Sequence, residues 1–425
     1  PVGSMGEEGE NKPIPDGAIQ IDLVGEGVAV KPTAAMAPIA VGGETRLQID
    51  DADVTISAGG GRLATEAGTI VVANPAVIID NSQLDDRIVE VSGDITSAIP
   101  ALLDLVESQQ PDLLANAELP FDLKALTGVV DAGLVATIHL PDEASGRQMS
   151  FDYVLNGTVA DFTSTQPIEN RSIGNGQLTF SASQDGYQLG GTAEIDGIPA
   201  RVEIGGTPTT DPMFRLSSTL DVAELAKMGV DASKFLSGKV RFVAQPAADG
   251  TLQMAVDLKD AALNIKDLGI TKAAGTAGSL SAIVRQDGQR TALSGIDLSF
   301  GSVRALGEME VDASKGLLSA DFSQIALSQG DSARLTVAPL DGGYAVRIGG
   351  TQLDLKPMLK RFFGLNEGAG GVQATQLDQT IVLDVELERA LGFYATTAFN
   401  LDLSLRLRGS DVREASLTGQ FNDGN

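Results

Sequence analysis

The sequence predicts a mainly β protein whose strands build an elongated, curled antiparallel sheet with a few short helices. Apolar and polar residues alternate in many short segments, and glycine-rich turns separate these segments along most of the chain. Leu401 and Leu403, for example, flank the polar Asp402. Such alternation is typical of strands with one apolar and one solvated face. So many one-sided strands in one chain must share a common apolar surface.

Composition narrows the possible functions before any motif is considered. The 425 residues include 49 Gly, one His, no Cys and no Trp, and the formal net charge is −27. Disulfides, thiolate catalysis and Cys-based metal sites are therefore excluded. Nucleic-acid binding is disfavoured because it depends on Lys and Arg side chains that neutralise phosphates. With aromatic residues at only 4%, small aliphatic residues and glycines must provide most of the packing.

The first part of the chain predicts short strands followed by a helix. Segment 96–108 has apolar residues at helical spacing, and its Pro100 fits only in the first turn of such a helix. Segment 119–128 predicts a second short helix or an extended link. The strands predicted before the helix, with the glycine triplet 59–61 as one of the turns between them, are 18–24, 45–50, 53–58, 69–73, 76–80 and 87–95.

Strands dominate again from Gly128 to about Gly364, interrupted by short helical segments at 221–231 and 356–364. Each helical segment directly follows a predicted strand. This recurrence suggests a repeating unit of strands closed by a helix.

A second recurrence supports repetition. Segments 185–192 and 341–351 both contain Asp-Gly, then Tyr, Gly-Gly and Thr, in that order. Asp-Gly and Gly-Gly are typical of hairpin turns, so both segments are expected between strands.

These patterns divide the chain into four segments. About twenty strands at roughly 4.8 Å spacing would make a sheet on the order of 90 Å long. Open sheets beyond about ten strands curl or split, so we expect a gutter with one apolar side. The segments are 1–17, a cloning remnant or disordered lead; 18–127, a β-groove segment with the helix; 128–364, the central groove repeats; and 365–425, the start of a further repeat that is cut short.

Candidate catalytic and metal sites are few. His139 is expected to be a strand histidine satisfied locally, because no catalytic partner is evident. The acidic run 48–56 lacks the glycine and terminal glutamate of an EF-hand loop, so turn acids are expected there, while a carboxylate or Ca²⁺ site stays open. No phosphate-binding loop or nucleophile elbow occurs. We therefore predict no enzyme activity, no cofactor and no metal.

Residues from about 148 to 364 resemble the AsmA-like family of Gram-negative envelope proteins, which includes the YhdP and TamB type of bridge-like lipid transfer proteins. The segments that carry the resemblance are 174–204, 220–242 and 254–284. Within the last of them, 257–278 is similar to the family's strand followed by a linker rich in Lys and Gly.

This resemblance implies a β-taco, anchored by an N-terminal helix in the inner membrane, that carries phospholipids through the periplasm to the outer membrane and supports its lipid homeostasis. The sequence has no run of roughly 18 apolar residues and no signal-peptide pattern. We therefore expect the anchor to lie outside it. The implied partners are phospholipids and the two membranes, and the family has no catalytic residues to carry over.

The expected binding surface is the apolar side of the groove, where alternating strand residues would contact acyl chains. The candidate lining residues are Met149, Phe151, Tyr153, Leu178, Phe180, Val240, Phe242, Leu252, Met254, Val256, Ile296, Leu298, Phe300, Leu383, Val385, Leu401, Leu403 and Leu405.

Two other interpretations stay open. The apolar face could be an ordinary core, in a scaffold protein of the envelope whose groove is filled by its own helices at 96–108 and 221–229. The chain could also be a β-rich surface adhesin, although it shows neither the aromatic platforms nor the Ca²⁺ motifs typical of that class.

Overall fold

The structure, a computed structural model, forms two compact units, Pro1–Phe214 (unit 1) and Arg215–Asn425 (unit 2). The predicted lead at 1–17, most of the predicted helix at 356–364 and the predicted break at 365–378 lie outside the described residues, apart from Gly17 and Lys356. The described residues are 17–30, 39–80, 87–109, 122–141, 148–168, 171–210, 212–228, 232–233, 235–247, 249–265, 270–356, 380–392, 396–408 and 411–422.

The predicted mainly β class is confirmed, since strands make up most of both units and the sheet is mostly antiparallel and not closed. Strands form here because β-branched and other apolar residues recur at every second position and pack on one face. The strands of unit 1 are β1 (Gln20–Glu26), β2 (Ala29–Val30), β3 (Ile39–Asp50), β4 (Asp53–Thr65), β5 (Gly68–Asp80), β6 (Ile88–Ala98), β7 (Leu126–His139), β8 (Ser150–Ser164), β9 (Ile173–Ser183), β10 (Gly186–Ile195) and β11 (Ile198–Gly206).

Neighbouring strands of unit 1 pair in chain order, all antiparallel: β1 with β3, then β3 through β11 each with the next, while β2 adds to β3. The border predicted at 127/128 lies inside β7.

Two predicted turns of unit 1 are wrong. The glycine triplet 59–61 lies inside β4, where Gly60 pairs with Ala73. The strands predicted at 69–73 and 76–80 are one strand, β5. A bulge at Asn74, which has a φ of 49°, lets β5 continue past Pro75. Bulges and single left-handed residues bend a strand without ending it, and sequence patterns do not separate them from turns.

The predicted first helix is confirmed. The α-helix α1 spans Ile99–Gln109, and Pro100 occupies its first turn. A short 3-10 helix, Leu123–Ala125, precedes β7. The segment predicted as helical at 221–231 forms a 3-10 helix, Val222–Met228.

Unit 2 continues the strand pattern, and β12 spans the border between the units. The strands are β12 (Met213–Asp221), β13 (Leu236–Pro246), β14 (Leu252–Asp257), β15 (Ala261–Ile265), β16 (Ile270–Lys272), β17 (Gly278–Asp287), β18 (Arg290–Phe300), β19 (Val303–Asp312), β20 (Gly316–Ala326), β21 (Ser332–Leu340), β22 (Gly343–Asp354), β23 (Thr380–Leu391), β24 (Thr397–Arg408) and β25 (Asp411–Asn422).

The main ladder of unit 2 runs β12, β13, β14, then β17 through β25 in order. The pair β22 and β23 is parallel, which departs from the predicted antiparallel arrangement. Parallel neighbours need a crossover of a dozen or more residues, and the stretch between Asp354 and Thr380 is long enough. The strands β15 and β16 form a hairpin beside the ladder that pairs with the first residues of β13.

Hydrogen bonds from Lys272 connect this side hairpin to the end of the main ladder. Lys272 is 5% exposed, and its ammonium group donates hydrogen bonds to the carbonyl oxygens of Leu258 (2.6 Å) and Ala261 (2.7 Å). Burial lowers the pKa of Lys272, and the nearby charges of Asp257 and Asp260 oppose that shift. A buried ammonium is tolerated because carbonyl oxygens replace its water.

A carboxylate in the turn between β10 and β11 should make the stability of unit 1 depend on pH. Asp196, which has a φ of 52°, accepts hydrogen bonds from Arg171 (2.8 Å) and from the backbone N–H of Ser172 (3.0 Å). The Arg171 guanidinium, followed by the Ser172 N–H, lowers the pKa of Asp196 below its usual 3.8. Stabilisation by this carboxylate is therefore present above pH 3.8 and is lost as the pH falls through the lower, folded-state pKa.

In Asp196→Asn, we expect the urea midpoint measured by far-UV circular dichroism to fall less steeply on acidification than in the wild type. Asn suits this test because it tolerates the left-handed backbone and keeps the shape of the side chain, while it removes the charge and replaces one acceptor oxygen with an NH₂ group. Equal acid dependence of the two proteins would contradict the assignment.

Candidate functional site

The strand register brings the apolar residues of unit 2 onto one face. Directly paired residues of neighbouring strands point to the same side of a sheet. Phe242 pairs with Val256, and Leu280 pairs with both Val256 and Leu298. Further along the ladder, Leu335 pairs with Ile348, and Ile348 pairs with Val385 of the parallel strand β23. Val385 in turn pairs with Leu403 of β24, so these residues also share one face. The predicted lining residues on this face are Val240, Phe242, Leu252, Met254, Val256, Ile296, Leu298, Phe300, Leu383, Val385, Leu401, Leu403 and Leu405.

Unit 1 has a corresponding apolar face. Phe151 pairs with Ile138, and Phe180 pairs with Leu189. By the same parity, Tyr153, Leu178 and Phe180 share this face with Phe151. Met149 precedes β8 and is 68% exposed, so the register does not assign it to a face.

Burial divides the apolar face of unit 1 into two halves. We call the edge where β6 ends and β7 begins the closed edge, and the opposite edge, where β7 ends, the open edge. Near the closed edge, Leu63, Ile70 and Leu178 are 4%, 3% and 6% exposed. Near the open edge, Phe151 is 54% exposed and Leu23 is 56% exposed. The face is therefore covered along one edge and accessible along the other.

The helix α1 covers the closed half of unit 1. Ala101 is fully buried against Leu63 and Ile70, and Leu102 packs between them and a second group around Val130. The carboxylate of Asp104 accepts hydrogen bonds from the backbone N–H groups of Glu66 (2.6 Å) and Ala67 (3.3 Å), which join the turn between β4 and β5 to the helix. The ion pair between Lys124 and Glu107 is exposed to solvent and therefore contributes little to the stability of this contact.

Unit 2 shows the same division of its own face. We call the edge where β12 and β22 end its closed edge. Leu220 is 2% exposed and Leu353 fully buried near that edge. The 3-10 helix begins there at Val222, which is also 2% exposed. Toward the opposite, open edge the face is only half-buried, at Leu252, Leu293 and Met309.

The predicted lining residues thus fall into three groups by burial. Met149 and Phe151 are exposed. The half-buried ones are Tyr153, Phe180, Phe242, Leu252, Met254, Val256, Leu298, Leu403 and Leu405. The buried ones, which serve as core in this structure, are Leu178, Val240, Ile296, Phe300, Leu383, Val385 and Leu401.

The repeated Gly-Gly-Thr has a structural role in both units. Gly191 and Gly350, the second glycine of each copy, lie on the apolar face against the backbone of a neighbouring strand. A Cβ at Gly191 would collide with Gln177 and Leu178, and one at Gly350 would collide with Ser332 and Ala333. In both copies the register shifts within two residues of this glycine. The pattern therefore marks a close approach of two strands beside a bulge.

The histidine and the acidic run considered from the sequence make ordinary local contacts. His139 lies 3.5 Å from Asp152 across the β7–β8 pair, as an ordinary cross-strand contact. Asp51, from the acidic run, accepts the backbone N–H groups of Gly17 (2.6 Å) and Ile19 (3.0 Å), and these hydrogen bonds lower its pKa. Among the described residues, no group of three or more His, Asp or Glu is arranged to hold a metal ion.

No family model, curated protein or solved structure matches this chain. In the described part of the chain, no helix has both the length and the apolar character needed to cross a bilayer.

Sequence reasoning missed the division of the face into a closed and an open half. The alternation along each strand is the same in both halves, so the pattern carries no such information. The one usable signal was the predicted helix after β6, since an amphipathic helix must bury its apolar side on a neighbouring element.

Proposed function

We propose that this chain is a non-enzymatic lipid conduit that binds acyl chains along the open half of its apolar face. The observation that carries the proposal is the exposure of large apolar residues on that face, with Phe151 54% and Leu23 56% exposed. Exposed apolar patches that are continuous over several strands are typical of binding surfaces rather than of a monomer's ordinary surface.

Energetics favours acyl chains as the ligand. Each CH₂ group removed from water contributes about 0.8 kcal/mol. The face is built from aliphatic residues at regular spacing, so an acyl chain gains similar energy at successive positions and meets no deep trap. Such a surface suits movement along the sheet better than tight binding at one point.

The scaffold alternative depends on the protein's own helices filling the groove. In unit 1, the helix residues Ala101 and Leu102 pack on the buried groups of the closed half. In the open half, Phe151 is 54% exposed. This division favours a ligand over self-filling.

The cellular setting is part of the same proposal and rests on the resemblance to AsmA-like proteins. We place the chain in the periplasm, held by an inner-membrane anchor outside this sequence, with phospholipid moving between the inner and outer membranes and outer-membrane lipid homeostasis as the result. It carries no catalytic residues in this proposal.

Two exposed residues of β8 on opposite faces provide a direct test. Phe151 lies on the apolar face, and Val154, 49% exposed, lies on the other. A photoreactive benzoylphenylalanine is introduced at one position or the other, and the purified protein is irradiated with phospholipid vesicles and analysed by mass spectrometry. We expect lipid adducts at 151 and none at 154. Equal labelling, or no labelling together with no co-purifying phospholipid, would refute the conduit.

A charge on the apolar face should weaken lipid contact locally. In Phe151→Glu, we expect lipid crosslinking from a probe at Tyr187 to fall by about tenfold, equivalent to ~1.4 kcal/mol, because an apolar contact is lost and a carboxylate would have to leave water. Val154→Glu is the matched control and should leave crosslinking unchanged, since it adds the same charge to the opposite face. Equal losses in both variants would argue for a general effect of charge and against the apolar face as the site.

A further inference from the structure

Aromatic residues gather at the open edge of unit 1, in a chain that has only 14 Phe and 4 Tyr. The rings of Phe151 and Tyr153 stack, with centroids 5.6 Å apart and an interplanar angle of 24°. The backbone N–H of Tyr153 donates to Gln184 in the β9–β10 turn (3.3 Å), which ties β8 to this turn. Tyr187, two residues beyond the turn on the same apolar face, is 42% exposed.

The same edge is acidic. Asp50, Asp51 and Asp53 flank the β3–β4 turn, Asp80 ends β5 and Asp185 lies in the β9–β10 turn. Arg87 is the one Arg or Lys among the described residues in the turns and strand ends of this edge. The negative potential there attracts cations and repels anions at distances up to about 10 Å at moderate salt.

One kind of ligand fits these three features, which are the apolar face, the exposed aromatic rings and the acidic rim formed by the Asp residues of this edge. Aromatic faces attract ammonium groups through their quadrupole, and quaternary ammonium ions are recognised by such rings. Acyl chains fit the apolar half-face beside them. A lipid whose phosphate carries the only charge would meet repulsion from the rim.

We propose that the open edge of unit 1 selects zwitterionic, ammonium-bearing phospholipids over anionic ones, with the ammonium group at one of the exposed rings, Phe151, Tyr153 or Tyr187, and the acyl chains on the apolar face. This inference rests on the proposed lipid-binding function and adds the headgroup class to it.

The test compares two lipids with identical acyl chains. Dioleoyl phosphatidylcholine and dioleoyl phosphatidylglycerol are offered together in vesicles to the whole chain carrying a photoreactive probe at Ile138, which pairs with Phe151. We expect phosphatidylcholine adducts to exceed phosphatidylglycerol adducts by about threefold at low salt, the effect of a single exposed cation–π contact. The excess contributed by the acidic rim should shrink at high salt because the charges are screened.

Two variants separate the aromatic rings from the apolar area. Replacing Phe151, Tyr153 and Tyr187 together by Leu keeps an apolar surface and should bring the adduct ratio close to one, while total lipid labelling persists. Phe421→Leu changes an exposed ring of unit 2, 57% exposed, and should keep the ratio of the parent protein. Far-UV circular dichroism checks that each variant is folded.

The outcomes distinguish this inference from the proposed function. Labelling by both lipids in equal amounts, or an excess of phosphatidylglycerol, overturns the headgroup selection and leaves lipid binding intact. A ratio that the triple Leu variant does not change overturns the role of the aromatic rings. Absence of any lipid adduct overturns lipid binding and the selection together.

Discussion

Replacing Gly191 with Ala is expected to lower the free energy of unfolding of unit 1 by roughly 2–4 kcal/mol. A Cβ at this position would lie against the carbonyl oxygen of Gln177 and 2.8 Å from the Cα of Leu178. Both are backbone atoms of the paired strand β9 and cannot rotate away. The sheet must spread locally, which costs ladder hydrogen bonds as well as packing.

The preceding glycine is a matched control. A Cβ at Gly190 would have its closest contact with the carbonyl oxygen of Val202 at 3.8 Å, an ordinary van der Waals separation. Gly190→Ala should therefore change stability by less than about 0.5 kcal/mol, or increase it slightly, because Ala restricts the unfolded chain. Urea unfolding followed by far-UV circular dichroism measures both variants, and equal midpoints would contradict the close approach of β9 and β10. The neighbouring glycines Gly349 and Gly350 offer the same comparison in unit 2.

Leu353→Ala is expected to destabilise unit 2 by about 2–5 kcal/mol, the range for a large-to-small change at a buried site. Leu353 is fully buried and belongs to a cluster with Ile348, Val385 and Leu387, which β22 and β23 contribute as parallel neighbours. Truncation removes the isopropyl group beyond Cβ and leaves a cavity that the surrounding side chains can close only in part.

Leu417→Ala is the control for this change. Leu417 lies on the apolar face of the same unit but is 54% exposed, so its truncation removes little buried area and should cost less than about 0.5 kcal/mol. The difference between the two urea midpoints is the quantity to measure. If Leu417→Ala costs as much as Leu353→Ala, the assignment of Leu353 to a packed core is wrong.

Most of the fold followed from local sequence. Strict alternation over segments such as 399–407 predicted strands that the structure contains, and Pro100 predicted where the first helix could begin. The errors concern continuity within strands. Gly59–Gly61 and Asn74-Pro75 carry turn signals, yet both lie inside long strands. A bulge and a turn use the same residues, and only the pairing partner distinguishes them.

The candidate site was predicted in part. Alternation identified which side chains share a face, because a strand's period of two is fixed by covalent geometry. It did not separate Leu178, which is buried, from Phe151 on the same face, which is exposed. That difference depends on the buried cluster of Val130, Val159 and Leu178, against which Leu102 of α1 packs, a contact between residues far apart in the chain.

The sequence by itself determined that this chain is a β protein whose strands carry an apolar face and that it lacks cysteine chemistry, since both follow from residue type and spacing. Tertiary structure alone decided which half of that face is core and which half is accessible. The physical reason is that the burial of a side chain depends on which other element packs against it, and that element can lie far away in the sequence. The alternation that places Leu63 and Ile56 in β4 does not record that α1 covers Leu63 and leaves Ile56 37% exposed.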